Sequence, residues 1–178
     1  PKVVGSIGWD AVLPRVATIV VLHDRQTDKV FRVVNAHFSH VGEQARLASA
    51  QMISSRISGS QADVNLVLGD LNAEPKSPAL DMLTSGRLSD AHDLAQKRCR
   101  SGIGTFTGFR TGGLRGAPRI DHILVDGGDV LWYCTEEQIK GIECNRNFFK
   151  MIFNVMIILF FVPSTTIVCA YIISVPPW

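Results

Sequence analysis

The sequence predicts an α/β domain followed by an apolar tail, and three observations lead to this prediction. Runs rich in β-branched residues alternate with segments whose apolar residues recur at helical spacing. Every charged residue precedes Met151, although the formal net charge of the chain is only +2. The 178 residues suffice for one substantial hydrophobic core, so we expect one domain. The 46% hydrophobic content excludes a disordered chain, and the small net charge gives no general excess for binding polyanions.

The first half of the chain carries the clearest secondary-structure signals. Residues 17–23 and 30–37 are rich in β-branched residues and are separated by a polar stretch, which predicts a hairpin. Residues 42–58 place alanines, a methionine and isoleucines on one face and end before a glycine, which predicts an amphipathic helix. Residues 65–69 form an apolar run too short for a helix and predict a buried strand. This strand would deliver Asp70 at its carboxyl end.

The second half alternates between a short helix, a loop and two strands. Ser77 and Pro78 are typical of the start of a helix, which Gly86 would close. Residues 101–118 are rich in glycine and predict a surface loop. Residues 119–125 alternate, so that His122 and Asp121 point to opposite faces of a strand. A final strand is predicted over residues 129–133.

The cysteines and the first residues bear on the cellular compartment. The four cysteines are too irregularly spaced for a structural zinc site and too few to staple a domain of this length; they are Cys99, Cys134, Cys144 and Cys169. We therefore expect free thiols in a reducing compartment. The chain starts without Met and without a recognisable secretory leader, so we expect a cytoplasmic body and a missing beginning.

The apolar tail, residues 142–178, has two interpretations. Residues 151–162 and 167–175 are apolar and together approach the ~20 residues of a membrane span, and Arg146 and Lys150 before them would keep the body in the cytosol. Alternatively, translated intron or frame-shifted sequence has replaced the last strands of the domain. On either interpretation the folded domain covers residues 1–141.

The strongest chemical motif is Leu-Gly-Asp-Leu-Asn at residues 68–72. At the end of a buried strand, two-residue spacing points Asp70 and Asn72 to the same side. A carboxylate can hold a water molecule or a divalent cation, and an amide can contact a phosphoryl oxygen. The motif alone is equally compatible with a strand-to-helix turn in which both side chains bind backbone donors.

Further motifs accompany it in a fixed order along the chain. They are Trp-Asp at 9–10, Pro-Arg-Val-Ala-Thr at 14–18, Asn-Ala-His at 35–37, Gly-Thr-Phe at 104–106 and Arg-Ile-Asp-His-Ile at 119–123. From Gly8 to about Tyr133 the chain thereby resembles the endonuclease/exonuclease/phosphatase (DNase I-like) superfamily, in its deadenylase-like branch. The resemblance implies part of a four-layer α/β/β/α sandwich and hydrolysis of phosphate esters with Mg²⁺ or Mn²⁺.

The resemblance implies that Asp70 and Asn72 form the centre of the site. Asp70 would orient or deprotonate the attacking water. Asn72 would contact the scissile phosphate. Both would be ligands of the metal ion.

The remaining implied roles concern the substrate phosphate. His37 would donate to a non-bridging phosphoryl oxygen, and Asn35 would position it. Asp121 would orient the catalytic histidine and favour its cationic form. Arg15 would bind phosphate, because a guanidinium can bond two phosphoryl oxygens at once. The other histidines receive no catalytic role: His23, His40, His92 and His122.

Two elements of the superfamily are missing from the sequence. No residue before Gly8 can supply the metal-binding Glu, and residues 135–150 contain no histidine for the Ser-Asp-His motif. We therefore expect a domain truncated at both ends and inactive or impaired as given. The alternative is a membrane-tethered or truncated domain that binds phosphorylated ligands without cleaving them.

The expected partners follow from the same chemistry. A phosphate-ester substrate, including nucleic acid, could lie in a groove of arginines; these are Arg15, Arg110, Arg115 and Arg119. A membrane would be a partner only through residues 151–175. The sequence leaves the oligomeric state open.

Overall fold

A computed structural model describes residues 3, 5–25, 27–100, 102–106, 108, 114–137, 155–162 and 166–174. The strands are β1 (Ala17–His23), β2 (Val30–Ala36), β3 (Val64–Asp70), β4 (Ser89–Asp90), β5 (Lys97–Cys99), β6 (Asp121–Asp126), β7 (Asp129–Val130), β8 (Trp132–Glu137), β9 (Val155–Val162) and β10 (Thr166–Ser174). The helices are α1 (Glu43–Ser58), α2 (Pro78–Thr84) and α3 (Ala91–Leu94). The alternation of strands and helices confirms the α/β prediction.

The first sheet has the strand order β1-β2-β3-β6-β4. β1 and β2 form the predicted antiparallel hairpin, and β2 runs parallel to β3. Parallel neighbours need a long crossover connection, and α1 provides it. β3 and β6 are antiparallel, with Asp70 opposite Asp121. The ends of β2 and β3 and the start of β6 therefore meet at one edge of the sheet.

One hydrophobic core lies between this sheet and helices α1 and α2. It joins Val34 of β2, Val67 of β3 and Leu124 of β6 to Ile53 of α1 and Leu80 of α2, all buried. α1 buries its isoleucines against this core as its sequence predicts, but Met52, predicted on the same face, is exposed. The core fixes the helices that pack behind the sheet edge.

The opposite face of the first sheet packs on a second core. Leu66, Ile123 and Val125 meet Ala91 of α3 and Tyr133 of β8 there. β8 belongs to the second sheet, whose order is β5-β8-β10-β7 with β9 beside β10. The described residues thus form helix, sheet and sheet layers of a DNase I-like sandwich. Leu124 points to one core and Ile123 and Val125 to the other, which confirms the predicted alternation.

β1 is the exposed edge of the first sheet in the described part of the chain. All seven of its residues are exposed, and Val21 retains 58% of its accessible surface. Ile19, Val20 and Leu22 are also large exposed hydrophobic residues. β2 therefore supplies the strand pairing of β1 without covering its two faces.

The tail is described only as two strands. β9 and β10 pair antiparallel, and β10 runs parallel to β8 and β7. Among the described residues, no helix combines the length and the apolar character that crossing a membrane requires. The prediction of a membrane span over residues 151–175 thus finds no support in the described part. The expected boundary at residues 141 and 142 lies outside the described residues and stays a prediction.

Some local predictions need correction. The strand predicted over residues 129–133 is split into β7 and β8, and β4, α3 and β5 were not predicted. The expectation of free thiols is wrong for one pair, since Cys99 and Cys134 form a disulfide. These residues lie opposite each other in β5 and β8, with Cα atoms 4.8 Å apart, which suits a disulfide. Strand register produces this proximity, which the spacing along the chain does not reveal.

Candidate functional site

The candidate site lies at the sheet edge where three strand ends meet. His37 directly follows β2, Asp70 ends β3 and Asp121 begins β6. Backbone hydrogen bonds continue past the strands and tie their ends together: the N–H of Phe38 donates to the carbonyl of Asp70 over 2.9 Å. The sequence-predicted residues His37, Asp70 and Asp121 are thus brought to one place.

Gly69 allows the ends of β2 and β3 to approach closely. Its φ is +132°, and a Cβ at this position would overlap the carbonyl oxygen of Ala36. The side-chain oxygen of Asn35 lies 3.0 Å from the same point. Any side chain at residue 69 would push the two strands apart, so the glycine of the motif sets the spacing between His37 and Asp70.

His37 and Asp70 form a partly exposed pair. The Nε2 atom of His37 lies 3.4 Å from Oδ2 of Asp70, and the two side chains are 34% and 26% exposed. Burial lowers the pKa of His37 and the positive charge of Arg15 lowers it further, while the negative charge of Asp70 raises it. His37 can therefore present a neutral imidazole beside a carboxylate, at a surface open to a ligand.

Two hydrogen bonds, one to Asp70 and one to Phe38, hold Asn72 in a turn. Its backbone N–H donates to Oδ1 of Asp70 over 3.0 Å, and its side-chain Nδ2 donates to the carbonyl of Phe38 over 3.1 Å. Its φ of +46° lies in the left-handed region, which asparagine tolerates better than most residues. The turn interpretation and the site interpretation are thus compatible, because Asp70 uses one oxygen for the turn and keeps the other beside His37.

Asp121 is the most buried carboxylate of the site. Its residue is 2% exposed, and its Oδ1 atom has no hydrogen-bond partner among the described residues. Burial and the negative charge of Asp70 raise the pKa of Asp121 to about 7, although a hydrogen bond with Thr105 acts to lower it. The carboxylate of Asp70 lies beside His37, and the role of Asp121 in orienting a histidine stays a prediction.

Arg15 reaches the site from the segment before β1. Its Nη2 lies 2.9 Å from Nδ1 of His40, and because a guanidinium only donates, Nδ1 is the acceptor. Its buried Nε has no partner within the described part of the chain. His40, for which the sequence predicts no catalytic role, therefore lies in this cluster. The only sequence signal for it is its position three residues after His37, a spacing that indicates a shared face in a helix but not in a segment that leaves a strand.

Asp10 fastens the segment that carries Arg15 to helix α1. The carboxylate of Asp10 accepts hydrogen bonds from the backbone N–H groups of Gln44 and Ala45, at 3.2 and 2.8 Å. Gly42 leaves room for it, because a Cβ there would overlap the Asp10 carboxylate. Asp10 thus caps α1 from a distant part of the sequence, a role that the Trp-Asp motif did not reveal.

A cavity of about 280 Å³ lies between this segment, α1 and the ends of β1 and β2. Arg15 and His37 line it together with apolar side chains that include Trp9, Leu13 and Met52. The cavity therefore adjoins the polar cluster.

A buried polar network lies on the other side of β6. Nε2 of His122 donates to the carbonyl of Ala73 over 2.8 Å, and its Nδ1 lies 3.1 Å from Oδ2 of Asp90. Nη1 of Arg119 donates to the same Asp90 oxygen over 2.7 Å. Although burial opposes it, the hydrogen bond from His122 and the charge of Arg119 lower the pKa of Asp90 to about 2.

This network bears on the groove of four arginines that the sequence predicts. Arg119 is engaged with Asp90 on the back face, so it does not line a groove with Arg15. Arg115 is exposed, and Arg110 lies outside the described residues. His122 occupies the face opposite Asp121, as the alternation predicts.

Two oxygen-bearing side chains of the site suit a hard metal ion. Asp70 offers a carboxylate, and Asn72 offers its side-chain carbonyl, since its Nδ2 is turned to Phe38. The described residues contain no group of three or more His, Cys, Asp or Glu side chains placed to hold a metal. The donor type fits Mg²⁺ or Mn²⁺, but two protein ligands leave most positions to water and substrate.

Comparisons with known proteins identify the family. A scan against protein-family models gives no match, and neither does a comparison with curated proteins. Among solved structures, an endonuclease/exonuclease/phosphatase from Bacteroides vulgatus is 36% identical with a TM-score of 0.63, over 71% of this chain and 49% of that chain. The mannosyl-6-phosphatase of Bacteroides thetaiotaomicron VPI-5482 is 31% identical with a TM-score of 0.61, over 68% of this chain and 46% of that chain.

A third similar structure is a functionally unknown conserved protein from Enterococcus faecalis V583. It is 27% identical with a TM-score of 0.61, over 71% of this chain and 50% of that chain. The chain spans about half the length of these relatives. Its strand order, its motifs and this similarity agree, and the chain belongs to the endonuclease/exonuclease/phosphatase family.

Proposed function

We propose that this chain carries the phosphoryl-binding part of a phosphate-ester hydrolase site. The observation that supports it most directly is the 3.4 Å approach of His37 to Asp70 at a partly exposed sheet edge, with Asn72 in the adjoining turn. The family to which the chain belongs adds support. The substrate is a phosphate monoester or diester, and nucleic acid is one member of that class.

The arrangement of charges fits an anionic phosphoryl group. His37 donates a hydrogen bond to a non-bridging oxygen, and Arg15 adds a permanent positive charge next to His40. Asp70 keeps one oxygen towards His37, where it orients the attacking water. The oxygen of this water bonds to phosphorus while the ester P–O bond breaks. One proton of the water passes to Asp70, and the leaving oxygen takes a proton from solvent.

Asp70 and Asn72 would hold Mg²⁺ or Mn²⁺ through their side-chain oxygens. The bound cation would neutralise negative charge that develops on the phosphoryl group. Because only two ligands come from the described residues, we propose weak metal binding and slow turnover by the chain as given. The buried carboxylate of Asp121, with one oxygen unpartnered in the described part, supports an incomplete set of catalytic groups.

Hydrolysis of p-nitrophenyl phosphate and bis(p-nitrophenyl) phosphate, with and without Mg²⁺, tests the proposal. We expect a Mg²⁺-dependent rate that falls by roughly 10²-fold or more in Asp70→Asn, the usual effect of losing a positioned acid–base group. The chain offers a matched control, because Asp28 forms an exposed pair with His23. Asp28→Asn should leave the rate unchanged.

Full turnover in Asp70→Asn would place the reaction elsewhere and reject the proposal. Binding of inorganic phosphate that depends on His37 and Arg15, without any turnover, would instead favour the non-catalytic alternative.

A further inference from the structure

The chain segment that covers the cavity of about 280 Å³ beside the site is held in place by contacts at two points. Two ties hold the segment that covers it: Asp10 binds the start of α1, and Arg15 binds His40. Directly before Asp10, Trp9 adopts a φ of +54°, which is unfavourable for a bulky residue and is common where a side chain is held for a ligand. The cavity is therefore part of the folded arrangement.

The cavity opens onto the groups proposed to bind phosphate. Arg15 and His37 belong to its lining, and the buried Nε of Arg15 has no partner among the described residues. A phosphate held by these two side chains would therefore lie against the cavity, and the group attached to its ester oxygen would have the cavity beside it.

Two of the serine hydroxyls in the lining donate hydrogen bonds within the protein. The hydroxyl of Ser49 donates to the carbonyl of Ala45 over 2.7 Å, and that of Ser6 donates to Val3 over 2.7 Å. Ser39 accepts a hydrogen bond from the N–H of Gly42. Besides Arg15 and His37, which are proposed to hold the phosphate, Ser39 and Arg56 are the polar lining residues that could still donate to a ligand.

The apolar side chains of the lining, by contrast, remain accessible. Trp9 is 55% exposed, Leu13 51% and Met52 40%. Contact with an apolar ligand would remove this surface from water, which favours binding.

We propose that this cavity binds the alcohol part of the phosphate ester, and that this alcohol is compact and largely apolar, with an aromatic ring as the best fit. The inference rests on the proposed function, because His37 and Arg15 must hold the phosphate. It narrows the substrate to esters of apolar alcohols in preference to sugar phosphates.

Calorimetric binding of 1-naphthyl phosphate, glucose 6-phosphate and inorganic phosphate to the full chain tests the inference. We expect 1-naphthyl phosphate to bind at least about tenfold tighter than inorganic phosphate, as apolar burial of a ring implies. Ser49→Phe should fill the cavity, removing this advantage while inorganic phosphate binds as before. The matched control is Ser55→Phe, since Ser55 is exposed on α1 and its hydroxyl makes the same bond to the preceding turn, at Gln51.

Circular dichroism verifies the fold of each variant, and Met52→Trp replaces Ser49→Phe if the latter does not fold. Three results would overturn the inference and leave the proposed function standing. They are equal affinities for 1-naphthyl phosphate and inorganic phosphate, a higher affinity for glucose 6-phosphate than for 1-naphthyl phosphate, and a preference for 1-naphthyl phosphate over inorganic phosphate that neither cavity variant changes. A different result would reject both the inference and the proposed function: inorganic phosphate does not bind, and neither His37→Gln nor Arg15→Gln changes the affinity for any of the three compounds.

Discussion

The buried carboxylate of Asp90 should stabilise the fold in a pH-dependent way. Its pKa is lowered from 3.8 to about 2, mainly by His122 and Arg119 against the effect of burial. One pKa unit corresponds to about 1.4 kcal/mol, so the ionised form contributes about 2 kcal/mol to the free energy of unfolding. Because the pKa is lower in the folded state, this contribution is present above pH 3.8 and is lost as the pH falls through about 2.

Asp90→Asn should remove that contribution and leave Arg119 buried without a counter-charge. We expect a loss of at least about 2 kcal/mol at pH 7, up to the 3–5 kcal/mol seen when one partner of a buried pair is removed. The loss should shrink as the pH falls from 4 to 2. Urea denaturation of both proteins, followed by circular dichroism from pH 2 to pH 7, measures it.

The neighbouring Asp93 provides the control, since its side chain is 71% exposed beside His92. Asp93→Asn should change the free energy of unfolding by no more than about 0.5 kcal/mol. A loss in Asp90→Asn that is equally large at pH 2 and pH 7 would refute the reasoning, because packing rather than charge would then explain it.

Three other substitutions test the geometry of the site. Gly69→Ala should destabilise the fold strongly, because its Cβ would overlap the carbonyl of Ala36; thermal unfolding measures this, and an unchanged midpoint would contradict it. Asp10→Ala should lower the helical signal of α1 and loosen the segment above the cavity, which hydrogen exchange at the first residues of the helix reports. His122→Phe should lower the free energy of unfolding by about 1–3 kcal/mol, because the buried carbonyl of Ala73 loses its hydrogen-bond donor. Urea denaturation measures this change, and an unchanged free energy of unfolding would contradict the prediction.

Local sequence patterns predict the parts of the fold that depend on residues close together in the sequence. The β2–α1–β3 unit follows from apolar periodicity, and the Gly-Asp-Leu-Asn motif locates the strand end that carries Asp70 and Asn72. The alternation around Asp121 correctly separates it from His122. These features depend on spacings of a few residues, which a sequence displays directly.

Other features depend on contacts between distant segments, so no local pattern reveals them. Arg15 meets His40 across 25 positions, and Asp10 caps α1 from 35 positions before Ala45. The short strand β5, three residues long, is identified by its partner β8 and not by its own composition. The placement of Arg119 in a groove with Arg15 fails for the same reason, because Asp90, 29 positions earlier, binds Arg119 on the other side of β6.

The open strand β1 of the described sheet should favour association of the chain with itself at high concentration. Four consecutive aliphatic residues from Ile19 to Leu22 stand exposed on a strand that the described sheet pairs through β2. A long apolar edge of this kind readily accepts a strand from another molecule. Self-association, and eventually fibrous precipitation, should therefore start at β1, and a lysine in place of Val21 should delay both.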